Sequence, residues 1–330
     1  MNDASSIRLL AIGSPGTQAA AVFFPQRGCT CVSATLEGSA GPISVVWAPD
    51  DFTQPAGRPT SGGIPILAPY PGRLASTTIE FEGRQYELEP RDTFGRPMHG
   101  FAHDRPWRLL SRSVDRFTAE FVLSRDAPER LDRWPADFRL SATWCISRES
   151  LSCTLELEAL GRMPAGLGLH PYLPLPIRSG MDRELCELEI PATRWQPQKD
   201  MLPSGALESV PRRVDFPGRT TLADMVFDDV FTGLTFVGKG AESHATAILV
   251  DPSGDALLVE WTELFSACVL FTPPHRQAVC IEPYSCLPGA GAFDERKGWR
   301  ILEPTETLNG TMTLRLKECV YSDTTPLASG

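Results

Sequence analysis

A chain of 330 residues with 42% hydrophobic and 22% charged content is long enough to bury a large core in one domain or two. Its formal net charge of −10 argues against nucleic acid or an anionic membrane as partner, since both repel such a surface. Nine cysteines, none in a CxxC pair and several inside apolar runs such as "SATWCIS" and "FSACVLF", read as small buried hydrophobes in a reducing compartment, with no zinc spacing among them.

Taken in order, the predicted elements are nearly all short strands. "TCVSATL" opens the series and is followed by the turn-rich "PDDFTQPAGRPTSGG". "FTAEFVLS", "FRLSATWCIS" and "SLSCTLELEAL" come next, with "RDAPERLDR" read as a turn after the first of them. Then come "ATAILV", "ALLVEW", "ACVLF", "AVCIEP" and "TMTLRLK", several with period-two alternation. With 30 prolines and 27 glycines, regular structure is interrupted often. A single turn of helix is allowed around "LADMVFDD", and no amphipathic helix of three turns is found.

Many antiparallel strands with frequent turns imply an all-β fold, a β-sandwich or barrel. No linker or composition shift divides the chain, so residues 1–330 read as a single domain, with 320–330 as a loose tail. The N-terminal "MNDASSIRLLAIGSPG" is a poor signal peptide. No stretch approaches the roughly 18–20 apolar residues of a membrane span, so the expected location is cytoplasmic.

Ionisable groups stand out where they sit in segments otherwise built for packing. In "PMHGFAHDRPW", His99 precedes Gly100, a residue that permits close backbone approach. His103 reads as a surface-loop residue. His170, in "GLGLHPYLPLP", is either a buried structural histidine or a functional one, with Tyr172 on the same face two positions on. Glu282 ends the apolar run "QAVCIE" and is followed by proline; a carboxylate there is hydrogen-bonded, exposed at a rim, or tuned as a base. In "VFDDVF", Asp228 and Asp229 form an ordinary turn pair or place one carboxylate in a site, since neighbours on a strand face opposite ways. Arg73, after a Pro-Gly turn, is a surface residue or a fork for hydroxyl groups.

In this order the segments resemble the aldose 1-epimerase (galactose mutarotase) family over roughly residues 20–317. "FFPQRGCTCVSATLEG" is similar to its first hairpin, and "GGIPILAPYPGRLASTTIEFEGRQYEL" to its Gly-Arg-Ile/Leu stretch. "HGFAHDRPW", "LHPYL", "FDDVF" and "CIEP" resemble its His-Gly…Trp, His-x-Tyr-Phe, Asp-x-x-Phe and Glu-Pro motifs. The resemblance implies a large antiparallel β-sandwich that takes a small-molecule sugar, as monomer or homodimer, with no cofactor and no metal. It implies that Glu282 removes the proton from the C1 hydroxyl and that His170 protonates the ring oxygen. His99 holds the ring-oxygen side, and Arg73 and Asp228 bind hydroxyls.

The chain departs from the pattern at Leu173, where Phe is usual, and at Gly72, where Asn often precedes the arginine. It departs again in "PYSCLPGAG" after Glu282. Two further readings stand beside a free-aldose epimerase. A hexose-6-phosphate mutarotase needs basic residues converging at the pocket mouth, with Arg96, Arg105 and Arg178 as candidates. A carbohydrate-binding protein that lost catalysis shares the fold.

Overall fold

The computed structural model describes residues 9–38, 41–289, 293–294 and 297–318; the expected tail at 320–330 lies outside them. Alternation in the sequence becomes alternation in burial. Along Phe138–Ile146 and Ser150–Ala159 every second residue is buried, and the two strands pair antiparallel with Leu140 opposite Leu157. A strand with one apolar face must cover it, and here a second sheet does so.

Two large antiparallel sheets carry the fold. One has nine strands, running from Arg219–Thr221 at one edge, through Asp255–Thr262, Thr307–Glu318 and Ser150–Ala159, to Arg108–Arg112 at the other. The other has eight, with Asp228–Leu234, Ala267–Phe271 and Ala278–Tyr284 at its centre. Gly168–Leu169 and Tyr172–Pro174 both pair with Ala278–Tyr284. Leu257, Val259 and Leu314 of the first sheet share one apolar core with Phe231, Leu270, Val279 and Ile281 of the second. A four-stranded sheet from Leu10–Gly13 to Gly41–Ser44 joins them; its Phe23 ring lies 4.7 Å from Phe117 and 5.0 Å from Trp144.

The all-β reading and most strand positions hold, and two local expectations need correction. Residues 222–225 form a turn closed by Met225 N–H on Leu222 O, not a turn of helix. "RDAPERLDR" is not a plain turn: Leu123–Asp126 is helical and Pro128–Arg133 is a 3₁₀ helix started by Pro128. Proline's fixed φ suits that first helical position. The eight cysteines among the described residues are free thiols, seven of them buried. No helix among the described residues is long and apolar enough to cross a membrane.

The strand Ala278–Tyr284 is buried on both faces, which explains the unbroken apolar run in its sequence. Val279 and Ile281 point into the sandwich core. By period two, Cys280, Glu282 and Tyr284 point the other way, and the site lies on that side.

Candidate active site

Five side chains singled out from sequence, Arg73, His99, His170, Asp228 and Glu282, line one cleft of about 160 Å³. Strand register decides the aspartate doublet. Asp228 lies opposite Phe271 and lines the cleft with it, whereas Asp229 points away. Asp229 accepts the Trp195 indole N–H at 3.0 Å and pairs with Arg213.

His170 follows directly on Gly168–Leu169 and precedes Pro171, which breaks the strand before Tyr172–Pro174 resumes it. Its backbone N–H bonds Pro65 O, and its ring stacks on Tyr172 at 4.8 Å with a 3° interplanar angle. Nε2 lies 3.5 Å from Glu282 Oε1, and Nδ1 makes no hydrogen bond among the described residues. Burial lowers the imidazole pKa to about 3, because a cation in a low-dielectric setting loses its hydration. Glu282, 2% exposed, is displaced the opposite way. Burial raises its pKa well above the ordinary range, opposed by the Tyr284 hydroxyl that donates to Oε2 at 2.6 Å.

His99 sits at φ 65° on a segment clamped to residues 68–74. Its N–H bonds Gly72 O, and Gly72 N–H donates to its Nδ1 at 3.2 Å. An Nδ1 that accepts leaves the proton on Nε2, so the ring presents a donor. Burial and the neighbouring His170 hold it neutral, well below its usual pKa. Gly100 is required because a side chain there would strike Ala68 O at 2.0 Å from its Cβ; Phe101 N–H bonds that same carbonyl.

His103 corrects the surface-loop expectation: it is 4% exposed. Its Nδ1 lies 3.1 Å from His99 O and its Nε2 lies 3.3 Å from Arg91. Arg91 and Arg130 both bind Asp104, so an ionic network supports the His99 segment from behind. Alternating loop sequence gave no sign of it.

Arg73 is held by Asp92, whose Oδ2 accepts its Nε at 3.1 Å while Oδ1 accepts Phe94 and Arg96 N–H. The Arg73 side chain lines the cleft. Nineteen residues separate this pair, and nothing in the sequence joins them. Tyr284 was also missed, although its spacing of two from Glu282 on a strand was a usable signal.

The three arginines considered as a phosphate cradle do not converge. Arg96 bonds Asp200 O, Arg105 pairs with Glu129, and Arg178 with Asp255, and none of the three lines the cleft. His170, Cys280 and Glu282 bring donor atoms within 4.8 Å of one another, the grouping among the described residues that could hold a metal ion. Burial pushes the Cys280 thiol well above its ordinary pKa and so keeps it protonated.

Comparison with known proteins places this geometry in context. YphB, an uncharacterized protein of Escherichia coli K12, is 22% identical over 262 residues, covering 76% of this chain and 82% of its own. A Salmonella typhimurium protein named "Putative glucose-6-phosphate 1-epimerase" is 28% identical over 133 residues. That match spans 40% of this chain and only 38% of the relative. Among solved structures, a galactose mutarotase-like protein from Clostridium acetobutylicum superposes with a TM-score of 0.81 at 18% identity, covering 94% of this chain and 95% of that one. A galactose 1-epimerase from Lactobacillus acidophilus gives 0.70 at 16% identity, covering 95% and 99%. The aldose 1-epimerase family model matches residues 14–315, and the chain belongs to that family.

Proposed function

We propose that this protein interconverts the α and β anomers of a free aldose by acid–base opening and closing of the sugar ring. The observation that carries the reading is the buried His170–Glu282 pair, 3.5 Å apart, at the floor of a cleft lined by Arg73, His99 and Asp228. Glu282 takes the proton of the C1 hydroxyl as His170 gives one to the ring oxygen. The C1–O5 bond breaks, C1 turns about the C1–C2 bond, and the same groups work in reverse to close the other anomer. Each proton transfer by a positioned group is worth about 10²–10⁴-fold. Arg73 and Asp228 hold hydroxyl groups, and the His99 Nε2–H donates on the ring-oxygen side.

The opposed pKa displacements fit this chemistry. One proton shared by the pair rests on Glu282 in the neutral form and on His170 in the charged form. The charged form has the stronger acid and the stronger base poised together. Both forms hold the same number of protons, so their ratio is independent of pH between the two ionisations of the pair.

A free aldose is favoured over a sugar phosphate by charge. Arg73 is the cation among the lining residues, already bound to Asp92, and Asp228 and Glu282 lie in the same cleft. A dianionic phosphate needs more than this. The test is polarimetric: freshly dissolved α-D-glucose and α-D-galactose approach equilibrium faster with the wild type, and the acceleration disappears in Glu282→Gln. Acceleration confined to the 6-phosphates would replace the substrate, and acceleration that survives Glu282→Gln would remove the assigned base.

A further inference from the structure

We infer that Tyr284 is a positioning residue for Glu282, binding one carboxylate oxygen so that the other faces His170 and the sugar. This rests on the reading of Glu282 as the base. The Tyr284 hydroxyl donates to Oε2 at 2.6 Å while Oε1 is the oxygen that meets His170 Nε2. The two residues stand on the same face of Ala278–Tyr284, and both are 2% exposed. A short hydrogen bond to an anion in a water-poor site stabilises the anion more than the acid.

The surroundings are shaped around the tyrosine ring. A Cβ at Gly168 would lie 2.8 Å from Tyr284 Cδ1. A Cβ at Gly72, where φ is +68°, would lie 2.4 Å from Pro288 Cβ and 3.4 Å from Tyr284 Cε2. Gly72 and the stretch after Glu282 are two departures from the family pattern noted in the sequence, and in the fold they touch. The missing side chain at 72 is the space that Pro288 fills beside the Tyr284 ring.

Other groups act on Glu282 as well. His170 and Tyr172 face it from the segment beside its strand, Cys280 from its own strand, and Asp228 from the strand beyond Ala267–Phe271, while Cys268 lies on the core side of the sheet. Arg73 approaches from the loop. Among the groups named, Tyr284 donates a direct hydrogen bond to the carboxylate.

Removing the hydroxyl alone tests the role. In Tyr284→Phe, kcat/KM for the aldose falls about tenfold at neutral pH, equivalent to ~1.4 kcal/mol. The gap closes as pH rises, because bulk base then removes the proton that Tyr284 had disfavoured. Infrared difference spectra provide a readout independent of turnover: the protonated-carboxyl band, assigned by its loss in Glu282→Gln, titrates at higher pH in Tyr284→Phe than in wild type. A uniform fall at every pH, or an unmoved carboxyl band, overturns the positioning role even if Glu282→Gln is inactive. An active Glu282→Gln instead overturns the functional reading beneath it.

Discussion

Two buried clusters of ionisable groups lie side by side in this molecule, and they are built on opposite principles. In the first, Arg130 gives both terminal nitrogens to Asp104, at 2.6 and 2.9 Å. Arg91 binds the same carboxylate and His103, and His103 reaches the His99 backbone. Opposite charges meet at hydrogen-bond distance, and Asp104 is held well below the ordinary carboxylate range, its arginine partners outweighing burial. In the second, His170 and Glu282 stand 3.5 Å apart, the His170 Nδ1 is unpartnered among the described residues, and burial displaces both toward neutrality. A charge-paired network specifies structure, here with the buried Arg130 Nε as its one described atom lacking a hydrogen bond. An under-satisfied pair has bonding capacity left for a substrate.

Mutation should separate the two. Glu282→Gln is expected to lower kcat/KM by about 10²–10⁴-fold while urea unfolding moves by less than about 1 kcal/mol. Asp104→Asn is expected to do the reverse, costing about 3–5 kcal/mol of stability because it leaves buried guanidinium charge uncompensated. Equal loss of both properties in either variant would erase the distinction drawn here.

Acid sharpens the comparison from another side. The folded pKa values of His103 and His170 are lowered to about 4 and about 3 by burial. The unfolded chain therefore binds protons that the folded chain refuses. The His103 contribution is full above about pH 6.5 and falls on acidification by about 1.4 kcal/mol per pH unit until its folded value is reached, whereas the loss at His170 is offset in this range by Glu282, whose raised pKa keeps the shared proton on the folded pair. Unfolding free energies measured by denaturant at intervals between pH 7.5 and 4.5 test this, and a flat profile would contradict the burial of the His103 ring.

Smaller effects belong to the cleft wall. Asp92→Asn frees Arg73 from its anchor and is expected to raise KM about fivefold, the equivalent of ~1 kcal/mol, with kcat less affected. Arg96→Ala, at a half-buried position outside the cleft lining, is expected to change kcat/KM for a free aldose by less than about twofold. A large loss on a 6-phosphate in the same variant would reopen the phosphorylated substrate.

What was legible in the sequence follows from what is local. Strands such as Phe138–Ile146 and Ser150–Ala159 declare themselves by alternation, because burying one face is a property of the segment itself. His170 and Glu282 were visible as polar groups in apolar surroundings, though residues alone left their roles open and the ordered family motifs assigned them. His103 was misread because a Gly- and Pro-bearing loop normally runs over the surface, and the burial of this one depends on Arg91 and Arg130 arriving from elsewhere in the chain. Asp92 was invisible for the same reason. The family motif's spacing to Phe231 favours Asp228 over Asp229; the physical reason is register with Ala267–Phe271, which two adjacent letters do not encode.

The double-sided burial of Ala278–Tyr284 bears on how the site moves. This strand is bonded on one edge to Ala267–Phe271 and on the other to Tyr172–Pro174 and Gly168–Leu169. Amides in such a position exchange with solvent only when a large part of the molecule opens. Glu282 is thus mounted on a segment expected to be among the slowest to exchange deuterium. Under the proposed activity, anomers would then be interconverted on a rigid bench, with the opened sugar chain itself supplying the motion.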